Sequence, residues 1–116
     1  MGLFSRRRSS TSDASDVPTS DRAAREATVA HLTDFVRTRV GVEAYVEPAT
    51  NVTQTTVLLV ATDGEWTRRR VPDAPTAVKL ARALEIPVYD VQRTGYPQRW
   101  RDYNERQRIE RKRTIV

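Results

Sequence analysis

Thr53–Arg70, TQTTVLLVATDGEWTRRR, sets an apolar run and a basic run on either side of Asp63-Gly64. The unbroken apolar run Val57–Ala61 suits a central strand covered on both sides, and Arg68, Arg69 and Arg70 mark its partner as wetter. Asp63-Gly64 between them is a strong signal for a two-residue hairpin, because a type I′ turn needs positive φ at both central positions. With these two as the turn, Thr62 faces Glu65, Ala61 faces Trp66, Val60 faces Thr67, Leu59 faces Arg68 and Val57 faces Arg70. Opposed residues share a sheet face. Val57, Leu59 and Ala61 then lie beside Trp66, Arg68 and Arg70, while Leu58, Val60 and Thr62 lie beside Glu65, Thr67 and Arg69.

Upstream, Val42–Glu47 alternates Val42, Ala44 and Val46 against Glu43, Tyr45 and Glu47, a half-buried strand ended by Pro48. Ser20 or Asp21 caps a helix before it, running to about Val40 with Leu32, Phe35, Val36 and Val40 on its apolar side and Gly41 as its stop. Downstream, Asp73 is the N-cap of a second helix with Pro75 in its first turn, and Ala77, Leu80, Ala81 and Leu84 form a narrow stripe suited to a sheet. Ile86–Val91 reads as a short fourth strand, Thr94–Pro97 as a turn, and Gln98–Arg113 as a charged helix. The order is helix, three-stranded antiparallel meander, helix, short fourth strand, C-terminal basic helix. That is an α+β domain with helices on one sheet face and the other face partly open.

The chain of 116 residues is 38% hydrophobic, with a mean hydropathy of -0.64. Such values imply a small ordered core with polar extensions. Residues 1–19 hold almost no core-forming side chains and read as a disordered tail. Residues 20–97 form the domain, and residues 98–116 a basic C-terminal helix or tail. Charge follows the same division: residues 21–90 carry nine basic and ten acidic groups, residues 91–116 eight and three.

Inventory excludes most catalysis. There is no cysteine and one histidine, His31, which leaves no thiolate nucleophile and no metal set. Glycines at 2, 41, 64 and 95 are too dispersed for a phosphate-binding loop, and no nucleophile-elbow, zinc-protease or P-loop spacing occurs. We therefore expect no cofactor and no metal, and a binding protein in preference to an enzyme. No apolar run reaches the length of a membrane span, MGLFSRRR lacks a signal peptide's apolar core, and Arg6 breaks the myristoylation pattern. The chain therefore reads as soluble and intracellular.

What stands out is basic and aromatic. Arg68 and Arg70 share a sheet face with Trp66. Arg93, Arg99, Arg101, Arg106, Arg108, Arg111, Lys112 and Arg113 follow the last strand, interleaved with Tyr96, Trp100 and Tyr103. Arginine pairs phosphate bidentately and stacks on bases, and Trp or Tyr offers a stacking surface, so the mixture suits RNA. Trp100 and Tyr103 read also as the aromatics that dock the terminal helix, and the docking role is preferred for them. Arg108, Arg111, Lys112 and Arg113 have little to bury and point to an anionic partner: RNA, the ribosome or an acidic protein. A protein–protein adaptor whose open sheet is covered by a partner or a second copy is a further alternative.

The helix, three strands, helix order resembles the double-stranded RNA-binding fold in topology. Asp73-Ala74-Pro75-Thr76 stands where that family places phosphate-binding lysines, so its contacts do not transfer. GVEAYVEPATNVTQTTVLLVATDGEWTRRRVP from Gly41, and IPVYDVQRTGYPQRWRDYN from Ile86, are similar to a group of small actinobacterial proteins, some of which bear the name oxidoreductase. The resemblance implies an actinobacterial origin and a cytoplasmic protein. The name implies, as an alternative, a redox or small-molecule-binding protein with a closed apolar pocket near Trp66, Tyr89 and Tyr96.

Overall fold

A computed structural model describes residues 17–115. Residues 1–16 of the tail expected over residues 1–19 lie outside the described residues; residues 17–19 belong to the first helix, which begins before the cap expected at Ser20 or Asp21. The elements are α1 (Val17–Thr38), β1 (Glu43–Glu47), β2 (Thr56–Val60), β3 (Trp66–Arg70), α2 (Ala74–Ala83), β4 (Val88–Asp90), α3 (Val91–Thr94) and α4 (Gln98–Ile115). The sheet order is β3-β2-β1-β4; the first three strands are antiparallel and β4 runs parallel to β1. This is the expected α+β architecture.

Hairpin register differs from the sequence reading by one residue. Val60 faces Trp66, Leu59 faces Thr67, Leu58 faces Arg68 and Val57 faces Arg69. The loop has three residues rather than two. Ala61 N–H donates to Glu65 O and Gly64 N–H to Ala61 O, and Gly64 alone takes a positive φ, of 93°. Asp63 stays at negative φ because its carboxylate accepts the Glu65 N–H, at 2.9 Å, and holds the loop from its side chain. The one-residue slip moves Trp66 and Arg68 onto the face of Leu58 and Val60.

Each sheet face therefore has its own cover. On one, α1 and α2 bury Leu32, Phe35, Ala77 and Ala81 against Val42, Ala44, Val46, Val57, Leu59 and Ala61. On the other, Tyr45, Leu58 and Val60 lie beneath Trp66, Tyr96 and Trp100. This second face, expected to stay partly open, is roofed in part by the α3–α4 segment. Apolar burial on two faces accounts for Val57–Val60 being almost wholly removed from solvent.

Helix ends follow local chemistry. Asp73 caps α2 as expected, accepting the Thr76 N–H at 2.9 Å. At its other end, Ile86 N–H reaches Ala81 O and Glu85 N–H reaches Arg82 O, a Schellman arrangement with Glu85 at φ 58°. α1 stops at Thr38, so Val40 is exposed rather than part of the apolar stripe. Gly41, at φ 65°, lets the chain turn into β1; a Cβ there would fall 2.0 Å from the Thr62 hydroxyl oxygen.

Candidate nucleic-acid interface

β1 sends Glu43, Tyr45 and Glu47 to the α4 side of the sheet, since side chains two apart share a face. Two carboxylates on a half-covered surface require cations, and the arginines supply them. Arg68 on β3 grips Glu47 with two bonds, Nε to Oε1 at 2.7 Å and Nη2 to Oε2 at 2.8 Å. The Thr56 hydroxyl donates to Glu47 Oε1 at 2.6 Å, and the Tyr96 hydroxyl to Oε2 at 2.5 Å. Burial pushes the Glu47 carboxyl up, but the bonds from Arg68, Thr56 and Tyr96 together outweigh it and hold the group below its ordinary range.

Arg99, in the first turn of α4, does the equivalent work at the other end of β1. Its Nη2 donates to Glu43 Oε1 at 2.7 Å and its Nε to Ala61 O at 2.9 Å. The Tyr45 hydroxyl donates to the same Glu43 oxygen at 2.9 Å. Burial and then that bond push the Tyr45 phenol up to about 12, so it remains a donor at any physiological pH. α4 is thus tied to the hairpin by a cation, and approach is close at Gly64. A Cβ there would sit 2.2 Å from Arg99 O and 2.7 Å from Tyr103 Cβ.

The aromatics pack on one another. Tyr96 stacks on Trp100 with ring centroids 4.4 Å apart, and Trp66 meets Trp100 edge-on at 6.1 Å. Trp66 Nε1 donates to Asn104 Oδ1 at 2.7 Å, and the Arg68 guanidinium lies over its ring. Tyr89, which the oxidoreductase alternative grouped with Trp66 and Tyr96, packs instead on Tyr45 at 5.4 Å from the edge strand β4. The space expected of a closed pocket near Trp66 and Tyr96 is filled by Trp100.

The remaining basic residues are arranged differently. Arg106 lies over the Tyr103 ring and donates to Asp63 O at 3.1 Å, ending the docked part of α4. From Glu105 to Thr114 every residue is exposed, with five basic side chains against two acidic. Arg108 pairs with Glu105, and Arg113 stands 3.9 Å from Glu110. Among the described residues, Arg111 and Lys112 have no carboxylate within bonding distance, nor do Arg70, Arg93 and Arg101. Arg70 sits at the outer end of β3 and Arg93 on α3, apart from α4's free end.

Of the ten predicted cations, Arg68 and Arg99 are neutralised by Glu47 and Glu43, Arg106 is held by Asp63 O, Arg108 and Arg113 stand beside Glu105 and Glu110, and Arg70, Arg93, Arg101, Arg111 and Lys112 are exposed without a carboxylate partner among the described residues. Sequence reasoning missed the roles of Glu43 and Glu47. Their signal was present: two acids four apart on the outward side of a strand whose own Tyr45 is large and apolar. Among the described residues no group of three or more acidic or histidine side chains could hold a metal ion, and no helix is long and apolar enough to cross a membrane. Comparison with protein-family models, with curated proteins and with solved structures finds no match.

Proposed function

We propose that the chain is a non-enzymatic RNA-binding protein that engages its partner, free or within the ribosome, through the basic end of α4. One observation carries the reading: Arg68 and Arg99 are spent on Glu47 and Glu43, while the cations beyond the docked turns of α4 face solvent without an apolar stripe to bury. A helix of this kind gains nothing from packing, and its exposed arginines and lysine suit phosphate oxygens. Binding of a polyanion there releases counterions, so affinity falls steeply with salt.

The domain's part is to present the helix rigidly. Arg99, Trp100, Tyr103 and Arg106 fasten its first turns to the hairpin, so that the free turns project at a set angle. The test is recovery of tagged protein from its native cells at low salt, followed by stepwise salt elution of what it carries. Nuclease-sensitive RNA released between low and moderate salt is the expected result. An eluate with no nucleic acid, or a partner that survives high salt, contradicts the reading.

A further inference from the structure

Beside the docked part of α4 runs an open groove of about 410 Å³, lined by Trp66, Tyr103, Asn104, Gln107, Arg108 and Arg111. It differs in character from the other grooves of the described surface. One between α1 and α2 is lined by mixed aliphatic and polar side chains with no aromatic ring, whereas this one brings together two aromatic rings, two carboxamides and two guanidinium groups. The volume falls within the range of sites that hold a single small ligand.

We infer that this groove is the seat of one unpaired nucleotide of the RNA, an assignment that rests on the function proposed above and names the place where a base is held. Each chemical part of a nucleotide has a counterpart. The π-face of a base has the rings of Trp66 and Tyr103 as stacking surfaces, alongside the Arg68 and Arg106 guanidiniums that already lie over them, and every base offers such a face. Its Watson–Crick edge, with donors and acceptors side by side, has the carboxamides of Asn104 and Gln107, which present both. Asn104 spends only Oδ1, on Trp66 Nε1; its Nδ2 and the whole amide of Gln107 take no partner among the described residues. A flanking phosphate has Arg111, which meets no carboxylate among the described residues; Arg108, one helical turn before it along the same wall, is paired with Glu105.

The arrangement is held ready from beneath. Trp66 is fixed by its bond to Asn104, by the Arg68 guanidinium on its ring and by the edge of Trp100. Arg68 is in turn fixed by Glu47. The Trp66 ring therefore has little freedom left to lose on binding. The groove also continues directly into the exposed turns of α4, so one strand can lie along Arg111 and Lys112 while placing a base against Trp66.

The experiment compares an eight-residue oligouridylate with inorganic polyphosphate of similar charge, which has phosphates but no base. Trp100→Phe leaves Trp66 as the sole indole reporter; Gln107→Ala, at an exposed position making no bond in the structure, is tested in the otherwise unaltered chain. The expected result is that oligouridylate quenches Trp66 emission and polyphosphate does not. Gln107→Ala should weaken oligouridylate about fivefold, the scale of one hydrogen-bonding group, without affecting polyphosphate. Oligouridylate that binds with a steep salt dependence, no quenching and no response to Gln107→Ala overturns the nucleotide site and leaves the RNA reading standing. Failure of both ligands to bind overturns both.

Discussion

Replacing Glu47 by Ala removes the acceptor of four hydrogen bonds at once: two from Arg68 and one each from Thr56 and Tyr96. Breaking a buried ion pair by removing one partner costs about 3–5 kcal/mol, and losing an exposed one about 0–1 kcal/mol. Glu47 keeps 13% of its side-chain exposure but Arg68 keeps 37%, so water can re-solvate the freed guanidinium. With the two hydroxyl donors left to find water, the loss should come to about 2–3 kcal/mol. Urea unfolding followed by tryptophan emission measures it, since Trp66 and Trp100 lie above the same sheet face. The folded-state carboxyl titrates below its ordinary value of 4.5, so the unfolded chain takes up a proton first as pH falls. Glu47 stabilisation is thus fully present above about pH 5 and lost as pH drops through the folded value. The gap between wild type and Glu47→Ala should accordingly narrow towards pH 3. A loss under about 0.5 kcal/mol at neutral pH would show instead that the pair behaves as a surface contact.

Gly64→Ala should destabilise by about 3 kcal/mol and shift tryptophan emission to the red, because the new methyl both strains φ 93° and pushes against Arg99 O and Tyr103 Cβ. Unchanged emission would mean that α4 does not press on the loop. Glu85→Gly should stabilise by about 0.5–1 kcal/mol in thermal unfolding, since glycine takes the left-handed conformation at the end of α2 without a Cβ penalty, less its greater freedom when unfolded. His31 has its pKa lowered by burial and then by Arg69, whose Nη2 faces Nδ1 while Nε2 lies 2.6 Å from the Thr67 hydroxyl oxygen. Its contribution is present above about pH 6.5 and lost as pH falls through the folded value. His31→Asn should therefore flatten the pH dependence of the unfolding midpoint between pH 7.5 and 5.5.

The strands were legible because Val57–Ala61 and Val42–Glu47 carry strong, different patterns: one continuous, one alternating. α2 was legible from a cap and a stripe that need no tertiary context. The register was misread because Asp63-Gly64 satisfies two turn geometries. The choice between them lies in one side-chain bond, from Glu65 N–H to the Asp63 carboxylate, which spacing does not reveal. That single slip decided which face received Trp66 and Arg68, and hence that Arg68 meets Glu47. Arg99 was invisible as a structural cation for a similar reason: Glu43 lies 56 residues away and Ala61 38. The exposed end of α4 could be read directly, because QRIERKR has no apolar face in any register. The orientation of β4 could not; a three-residue strand after a tight helix stop pairs either way on pattern alone, and here it runs parallel to β1.

The most direct test of the central claim is the salt dependence of oligoribonucleotide affinity, by fluorescence anisotropy, for the wild type and for Arg111→Gln/Lys112→Gln/Arg113→Gln. These three lie beyond the docked turns, so the variant should fold and unfold as the wild type does. Each phosphate contact on a single strand contributes about 0.7 to the slope of log affinity against log salt. The account predicts a slope for the variant shallower by about 2 and a lower affinity at low salt. Equal slopes and equal affinities would contradict it and place any RNA contact away from the end of α4.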